Sequence, residues 1–484
     1  MVATMAVFVL SLLAFTALGF ASSFVRERTT EDYLLAGRQV PAWLTALSSA
    51  ATNNSGFMFI GLIGFAYRFG VQAIWLQLGW IAGDWVAWTW VHGRVRKVSA
   101  EVGACSTPAL IATSDAGRFV RSTSVVAGAL TFIFLGGYAA AQFKAGSTAL
   151  QALFGWDLTI GATVGAIIVL VYCFSGGLRA SIWTDAAQAF VMIAAMAAIF
   201  VAAWNRVGDP AALWRQLAQT DPALTDWFPS NLALGFGLYV MGFTFGGFGV
   251  VGQPHILARS MAIESADAIP TARKIYFAWF VPFSALAVMV GLYSRVLLPE
   301  LAAGAQSGAS IAAHKAELAF PQMALALLPD GVVGLVLAGL FSATMSTADS
   351  QVIACSAAIT QDIAPQWRSS YVASKAATTF ITVLALVLAL SAAEGVFDLV
   401  LSAWSALGAS LGPLVLLRVF GRRVEPALAL IMMASGLATV WWWQSSSYSA
   451  DVFKLLPGML VPLVIYAVAQ AVGPRRLSSR RRST

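Results

Sequence analysis

The chain has 484 residues, of which 59% are hydrophobic and only 11% charged, against about a quarter charged in soluble globular proteins. That excludes a water-soluble enzyme or binding domain and leaves an all-α polytopic membrane protein. The formal net charge of +7 would suit a nucleic-acid surface, yet the basic residues lie in loops between apolar runs, where they report topology.

Cys105, Cys173 and Cys355 have no paired spacing and His92, His255 and His314 form no metal motif, so neither a disulfide framework nor a zinc site follows. No nucleophile–base pair stands out either, and an enzyme is not expected. Apolar stretches long enough to cross the hydrocarbon core fall at 3–25, 42–67, 71–93, 122–151, 158–175, 183–205, 231–252, 273–298, 330–360, 371–391, 396–418, 425–443 and 453–472, about 13 transmembrane helices. With the N-terminus outside and the C-terminus inside, most Lys and Arg residues become cytoplasmic, among them Arg26, Arg28, Arg38, Arg94, Arg96, Lys97, Arg259, Arg422 and Arg423. The first span ends in small residues, as a cleaved signal would. Its flanking charge is reversed, however, with Arg26 and Arg28 after the apolar run, so it is expected to stay as a helix.

Segment 42–67 is interrupted by Asn53, Asn54, Ser55 and Gly56, poor helix formers at mid-membrane depth. Irregular backbone at that depth is tolerated where it lines a cavity. In the next span Asp84 is a buried acid beside Gly83, and no role is assigned to it. In the fourth span Tyr138 and Gln142 share a face at i, i+4 and can present polar groups to a solute. Lys144 lies off that face and is close enough to the outer end to snorkel to the interface. Asp185 opens the sixth span, where a carboxylate also suits a helix N-terminus.

The seventh span is interrupted by Gly242-Phe-Thr-Phe-Gly-Gly-Phe-Gly-Val-Val-Gly252. Spans two and seven stand five apart, and a pair of broken helices at matching places points to an inverted repeat with its site between them. Gly247-Phe-Gly249-Val-Val-Gly252 spells G-x-G-x-x-G, but a dinucleotide fingerprint needs a strand before it and a βαβ context, which a membrane span rules out. The loops 206–230 and 299–329 face outward.

Polar residues recur on one face of the ninth span. Ala343, Ser346 and Thr347 stand at i, i+3 and i+4, and Ser346, Asp349 and Ser350 repeat the spacing. Hydroxyls, a carboxylate and freed carbonyls are the ligands of a hard monovalent cation, and hydrocarbon tolerates them only beside partners or water. This helix is therefore expected to form one wall of a sodium site. The arginine-rich tail reads as a membrane-surface anchor.

Asp32-Tyr-Leu-Leu-Ala-Gly-Arg38, Ala46-Leu-Ser-Ser-Ala-Ala-Thr-Asn-Asn-Ser-Gly56, Gly176-Gly-Leu-Arg-Ala-Ser-Ile-Trp-Thr-Asp185, Gly252-Gln-Pro-His-Ile-Leu-Ala-Arg259 and Met345-Ser-Thr347 together resemble the sodium:solute symporter family, in order and over nearly the whole chain. Within it the likeness is greatest to the proline-carrying branch. The resemblance implies a LeuT-like five-plus-five inverted-repeat core in a bacterial cytoplasmic (inner) membrane. The chain would divide into an extra helix and loop (1–41), a first repeat (42–205), an outer loop (206–230), a second repeat (231–420), two extra helices (421–472) and a basic tail (473–484).

Carried over residue by residue, the resemblance implies a sodium site from the carbonyls of Ala51, Asn54 and Ala343 and the hydroxyls of Ser346 and Thr347. A second cation or proton site would use Asp185, Ser346, Asp349 and Ser350. The solute would be held by Asn53, Ser55, Tyr138, Gln142, Gly246, Val250 and Trp404. Asn53 stands where the proline-carrying branch has aspartate, Asp349 where hydroxyl or small residues are usual, and Gly246 and Val250 where it has bulky aromatics, which suggests a roomier or differently shaped pocket. An extra carboxylate near Asp185 either strengthens a cation site or holds a proton, since two close carboxylates do not both ionise cheaply.

The function so implied is uptake of a small organic solute coupled to sodium, with proline or a related amino acid foremost. The alternatives are a small carboxylate such as pantothenate or a monocarboxylate, proton coupling, or a transporter-like sensor. A sensor would usually continue into a signalling domain. An ion channel is disfavoured by the solute-sized breaks and the lack of a repeated filter. The expected partners are the solute, sodium and the lipid bilayer, and no nucleic acid.

Overall fold

The computed structural model describes residues 2–113, 118–302, 315–391 and 396–472. The tail 473–484 and the middle of the 299–329 loop, both assigned in the sequence, lie outside the described residues. The described chain is helical, with two isolated β-bridges and no strand. Its long helices are α1 (Val2–Ala21), α2 (Ala42–Asn53), α3 (Ala73–Trp90), α4 (Arg121–Phe154), α5 (Leu158–Val207), α6 (Phe236–Phe248), α7 (Pro254–Ala262), α8 (Ile269–Leu297), α9 (Asp330–Ala357), α10 (Tyr371–Ser391), α11 (Val396–Val419), α12 (Pro426–Gln444) and α13 (Leu455–Val472).

Ten helical stretches among the described residues are long and apolar enough to cross a membrane, eleven if the bent pair 236–262 is taken as one. Two of the ten, Phe57–Glu101 and Leu158–Val207, run 45 and 50 residues, about twice the ~20 that a bilayer needs. The longer one is α5, and Gly177 explains how it divides. Its φ of +57° and ψ of −141° belong to a region that L side chains avoid. A β-carbon there would stand 2.3 Å from the Tyr33 carbonyl oxygen. The kink lets the chain turn against the Thr30–Leu35 helix and places Asp185 in the second half.

α9 is the axle of the molecule. Every residue from Val336 to Ala357 is buried, so its polar face meets other helices and not water. It packs most extensively on α5 and α4, with α1 against both α9 and α5. α6 crosses α3 closely enough that Gly83 and Gly247 leave no room for a side chain. A β-carbon on Gly247 would lie 1.9 Å from the Trp80 carbonyl oxygen. α12 and α13 pair with each other and with α11.

The Asp32–Arg38 motif makes a tight turn. Ala36, Gly37 and Arg38 all have positive φ, and the turn aims the Arg38 guanidinium at the carbonyls of Ala104 (2.7 Å) and Met261 (3.4 Å) and at Glu31 (2.7 Å). Asp32 pairs with Arg179. Strained left-handed residues persist only when several such contacts hold them.

Gly177→Ala is expected to cost more than ~2 kcal/mol, from a left-handed backbone plus the Tyr33 contact. Gly331, which has open space around it, should accept alanine without loss. Thermal unfolding of the two variants in detergent checks this.

Candidate functional site

The first interruption falls where the sequence puts it. α2 ends at Asn53, Asn54 leaves the helix with φ −97° and ψ 61°, and the chain resumes as a loosened helix over Phe57–Leu62. The break releases carbonyls at mid-helix depth, and side chains satisfy them. Ser346 Oγ donates to the Ala51 carbonyl at 3.1 Å, and Thr347 Oγ1 donates to the Thr52 carbonyl at 2.9 Å. Both hydroxyls also reach the Ala343 carbonyl, at 3.2 and 3.0 Å. Three carbonyls and two hydroxyls thus converge between α2 and α9, all buried.

Asn54 departs from expectation. Its side-chain amide turns back to the Ala50 carbonyl at 2.8 Å, and the carbonyl paired with Thr347 is that of Thr52. How the last turn of a helix closes is not something a carry-over of positions can register. The far side of the break is braced by Gln142, whose Oε1 accepts from the Gly56 N–H at 3.1 Å, and by Ser55 Oγ, which accepts from the Phe57 N–H at 3.2 Å.

One helical turn along α9 lies a second polar cluster. Asp349 accepts from Tyr172 OH at 2.7 Å and from Ser181 and Ser350 Oγ at 2.8 Å each. Asp185 accepts from Ser48 Oγ at 2.6 Å and from Thr52 Oγ1 at 3.3 Å. Beside Asp185 sits Arg259, fully buried on α7. It is 3.0 Å from Asp185 Oδ2, 2.9 Å from Ser181 Oγ and in contact with Ser350 Oγ. It also donates to Ser48 Oγ and to the His255 carbonyl. Asp185, Asp349 and Ser350 do come together, but beside a cation that the chain itself supplies, while the Ser346 hydroxyl stays with the Ala51 and Ala343 carbonyls.

Arg259, Ser48, Thr52, Ser181 and Tyr172 were not singled out as site residues from the sequence. Arg259, placed in a cytoplasmic loop from the sequence because it falls between two apolar spans, is instead fully buried on α7, where its charge needs a partner.

The second interruption comes later than the glycine run suggested. α6 continues through Gly242 to Phe248, a 3-10 turn covers Gly249–Gly252, and the chain bends by 59° into α7 at Gln253–Pro254. Gln253 Nε2 holds the bend by donating to the Trp404 carbonyl at 2.9 Å.

Between the two breaks is a cavity of about 20 Å³, room for one water. Of the expected solute residues, Asn53, Ser55, Tyr138 and Trp404 line it, joined by Asn54, Gln77, Trp80 and Phe280. Gln142, Gly246 and Val250 do not line it. Gln142 is spent on the break, and Val250 is buried in packing. Gly246 gives its carbonyl to the Trp404 indole N–H at 2.8 Å, and the Trp80 ring fills the space its side chain would take. The roomier pocket expected there is therefore closed by an aromatic residue from α3. Trp80 was missed because nothing in an apolar helix tells which of its tryptophans faces inward. Lys144 lies outside the cavity lining.

Residues 33–436 match the profile described as "Sodium:solute symporter family". The high-affinity proline transporter PutP of Bacillus subtilis is 28% identical over 91% of this chain and 93% of its own length. The sodium/proline symporter of Escherichia coli is 29% identical over 92% and 89%. Among solved structures, a Na+-coupled sialic acid symporter in a substrate-bound outward-open state superposes with a TM-score of 0.79 over 97% of both chains, at 19% identity. A nucleobase-cation-symport-1 family transporter in a closed conformation gives 0.55 at 15% identity, over 90% of this chain and 94% of its own.

Arg259→Ala should be strongly destabilising, by about 3–5 kcal/mol, because it strands a buried carboxylate. Adding Asp185→Asn should recover part of that loss. Thermal unfolding of the two single variants and the double variant measures the coupling.

Proposed function

The chain belongs to the sodium:solute symporter family, and we propose that it couples inward sodium movement to import of a small organic solute by alternating access. The observation that carries this reading is the convergence of the Ala51, Thr52 and Ala343 carbonyls with the Ser346 and Thr347 hydroxyls. Five buried oxygens without a fixed charge suit a weakly held monovalent cation. When sodium enters, the two hydroxyl protons turn away and the oxygens face the ion. The Asn54 carbonyl joins them once the break relaxes.

Bound there, sodium holds the first broken helix against α9, and this favours the state that accepts solute. The solute binds in the cavity lined by Asn53, Ser55, Tyr138 and Trp404, which must widen to admit it. Rocking of the helices that carry the breaks against α4, α5 and α9 then exposes both to the cytoplasm. In this reading the chain crosses the bacterial cytoplasmic membrane thirteen times, N-terminus outside. The segments 42–205 and 231–420 form the two repeats of a five-plus-five core.

Proline or a related amino acid is the proposed solute, because proline transporters lie at 28–29% identity over about nine-tenths of the chain. A small carboxylate such as pantothenate or a monocarboxylate is the alternative. A second reading of the coupling ion has its own observation. Asp185 pairs with the Arg259 guanidinium and Asp349 reaches it only through the Ser181 and Ser350 hydroxyls, so with two carboxylates to one guanidinium one formal negative charge remains in that cluster. A second sodium or a proton neutralises it.

Ser346→Ala and Thr347→Ala should each raise the sodium concentration for half-maximal proline uptake into proteoliposomes by about tenfold or more, the cost of one ligand to a charged group. Uptake driven equally well by an imposed pH gradient without sodium would instead favour proton coupling. Asp349→Asn separates the two, since it should abolish only the proton-driven component.

A further inference from the structure

Asp84 has no place in the sodium site or in the Arg259 cluster, yet it is a fully buried acid on α3, close behind the solute cavity. It forms no ion pair among the described residues. Its Oδ2 accepts from Tyr276 OH at 2.5 Å and from Asn53 Nδ2 at 3.3 Å, and its Oδ1 has no hydrogen-bond partner. A buried carboxylate without a counter-charge is costly and is retained where a cation comes to it.

The hydrogen bonds between Asp84 and the cavity run in one direction. Asn53 Nδ2 donates to Tyr276 OH at 2.6 Å as well as to Asp84, and the Tyr276 hydroxyl in turn donates its hydrogen bond to Asp84. Both amide protons of Asn53 are therefore used. Rotating the amide by 180° would set its oxygen against a carboxylate oxygen, acceptor on acceptor, so the carboxylate decides which end of Asn53 is which. What remains is Asn53 Oδ1, buried and without a partner on a residue that lines the cavity. Donation of its N–H groups towards an anion makes that oxygen a stronger acceptor.

The other walls suit the same guest. Trp80 and Trp404, with ring centroids 5.5 Å apart, and Tyr138 and Phe280 line the cavity, and aromatic faces attract organic cations. Of the other two amides in the lining, Gln77 donates from Nε2 to Ser284 Oγ at 2.8 Å and Asn54 donates from Nδ2 to the Ala50 carbonyl at 2.8 Å.

We infer that Asp84 is a positioning residue for solute recognition: through Tyr276 it locks the Asn53 amide with its oxygen free, as the acceptor for the cationic nitrogen of an amine-bearing solute. This rests on the symporter reading above and narrows its solute class from small organic molecules to those with a primary or secondary ammonium group. A carboxylate lacking nitrogen would meet an acceptor and a buried negative charge at that end of the cavity.

The test uses the purified full-length protein in detergent and follows thermal stability. Sodium chloride is titrated first without solute. Matched pairs are then titrated at fixed sodium: L-proline against tetrahydrofuran-2-carboxylate, L-alanine against propionate, and L-glutamate against glutarate. The wild-type protein is expected to be stabilised by at least one amine and not by its nitrogen-free partner. Asp84→Asn should weaken the amine by about 10- to 100-fold, the loss of a charge-assisted contact, and erase the preference. Its sodium response without solute should stay within about twofold, which also shows that the variant is folded. Tyr276→Phe, which removes the bridge and keeps the carboxylate, should fall between.

Equal stabilisation by the nitrogen-free acids, no response to any amine, or an Asp84→Asn protein with undiminished amine preference overturns the proposal. A wild-type protein that prefers amines but ignores sodium supports it while counting against the sodium coupling, so the two readings fail separately.

Discussion

A helix broken inside a membrane leaves backbone groups that water cannot reach, and most of this molecule is arranged around satisfying them. Each orphaned carbonyl in hydrocarbon costs several kcal/mol, so the interruption at Asn54–Gly56 exists only because α9 supplies Ser346 and Thr347 on one side and α4 supplies Gln142 on the other. The same hydroxyls that satisfy the break are the ones able to ligate an ion. Stability of the break and affinity for a cation are therefore two uses of one set of atoms. A site that must both bind and release its ion benefits from an alternative partner of this kind, since departure of the ion leaves no polar atom bare.

The Arg259 cluster adds a second constraint of a different strength. Its members come from α2 (Ser48, Thr52), α5 (Ser181, Asp185), α7 (Arg259) and α9 (Asp349, Ser350). These are the broken helices together with the scaffold they lean on. Hydrogen bonds to a buried charge are individually stronger than neutral ones, so the cluster ties α2, α5, α7 and α9 together. The cavity is closed at the same time, by Trp80 and Trp404 meeting over Gly246. In the proposed transport cycle, opening on either side would break one of these two layers, and a packed core switches between such arrangements rather than deforming smoothly.

Much of this was legible from residue order alone. Hydropathy and the placement of arginines are one-dimensional properties, so the all-helical membrane class followed directly. The polar face of α9 was legible because 3.6-residue periodicity brings Ala343, Ser346 and Thr347 to one side whatever they face. The glycine and asparagine breaks were legible because poor helix formers at mid-membrane depth weaken a span unless the chain has a use for the interruption. The divisions read from hydropathy between 67 and 71 and between 175 and 183 fall at Gly70 and Gly177, whose positive φ turns the otherwise continuous helical stretches Phe57–Glu101 and Leu158–Val207.

What the tertiary structure alone decided were the partners. That Thr52 and not Asn54 presents its carbonyl to Thr347 depends on how tightly the helix ends. That Arg259 pairs with Asp185 and meets Ser181 and Ser350 depends on the 59° bend between α6 and α7. That Trp80 fills the space beside Gly246, and that Asp84 reaches Asn53 through Tyr276, depends on how α3 packs against α6 and α8. Periodicity tells which residues share a face of a helix. It carries no information about which other helix, distant in sequence, that face will meet, because the choice is made by close packing and by buried polar groups finding one another.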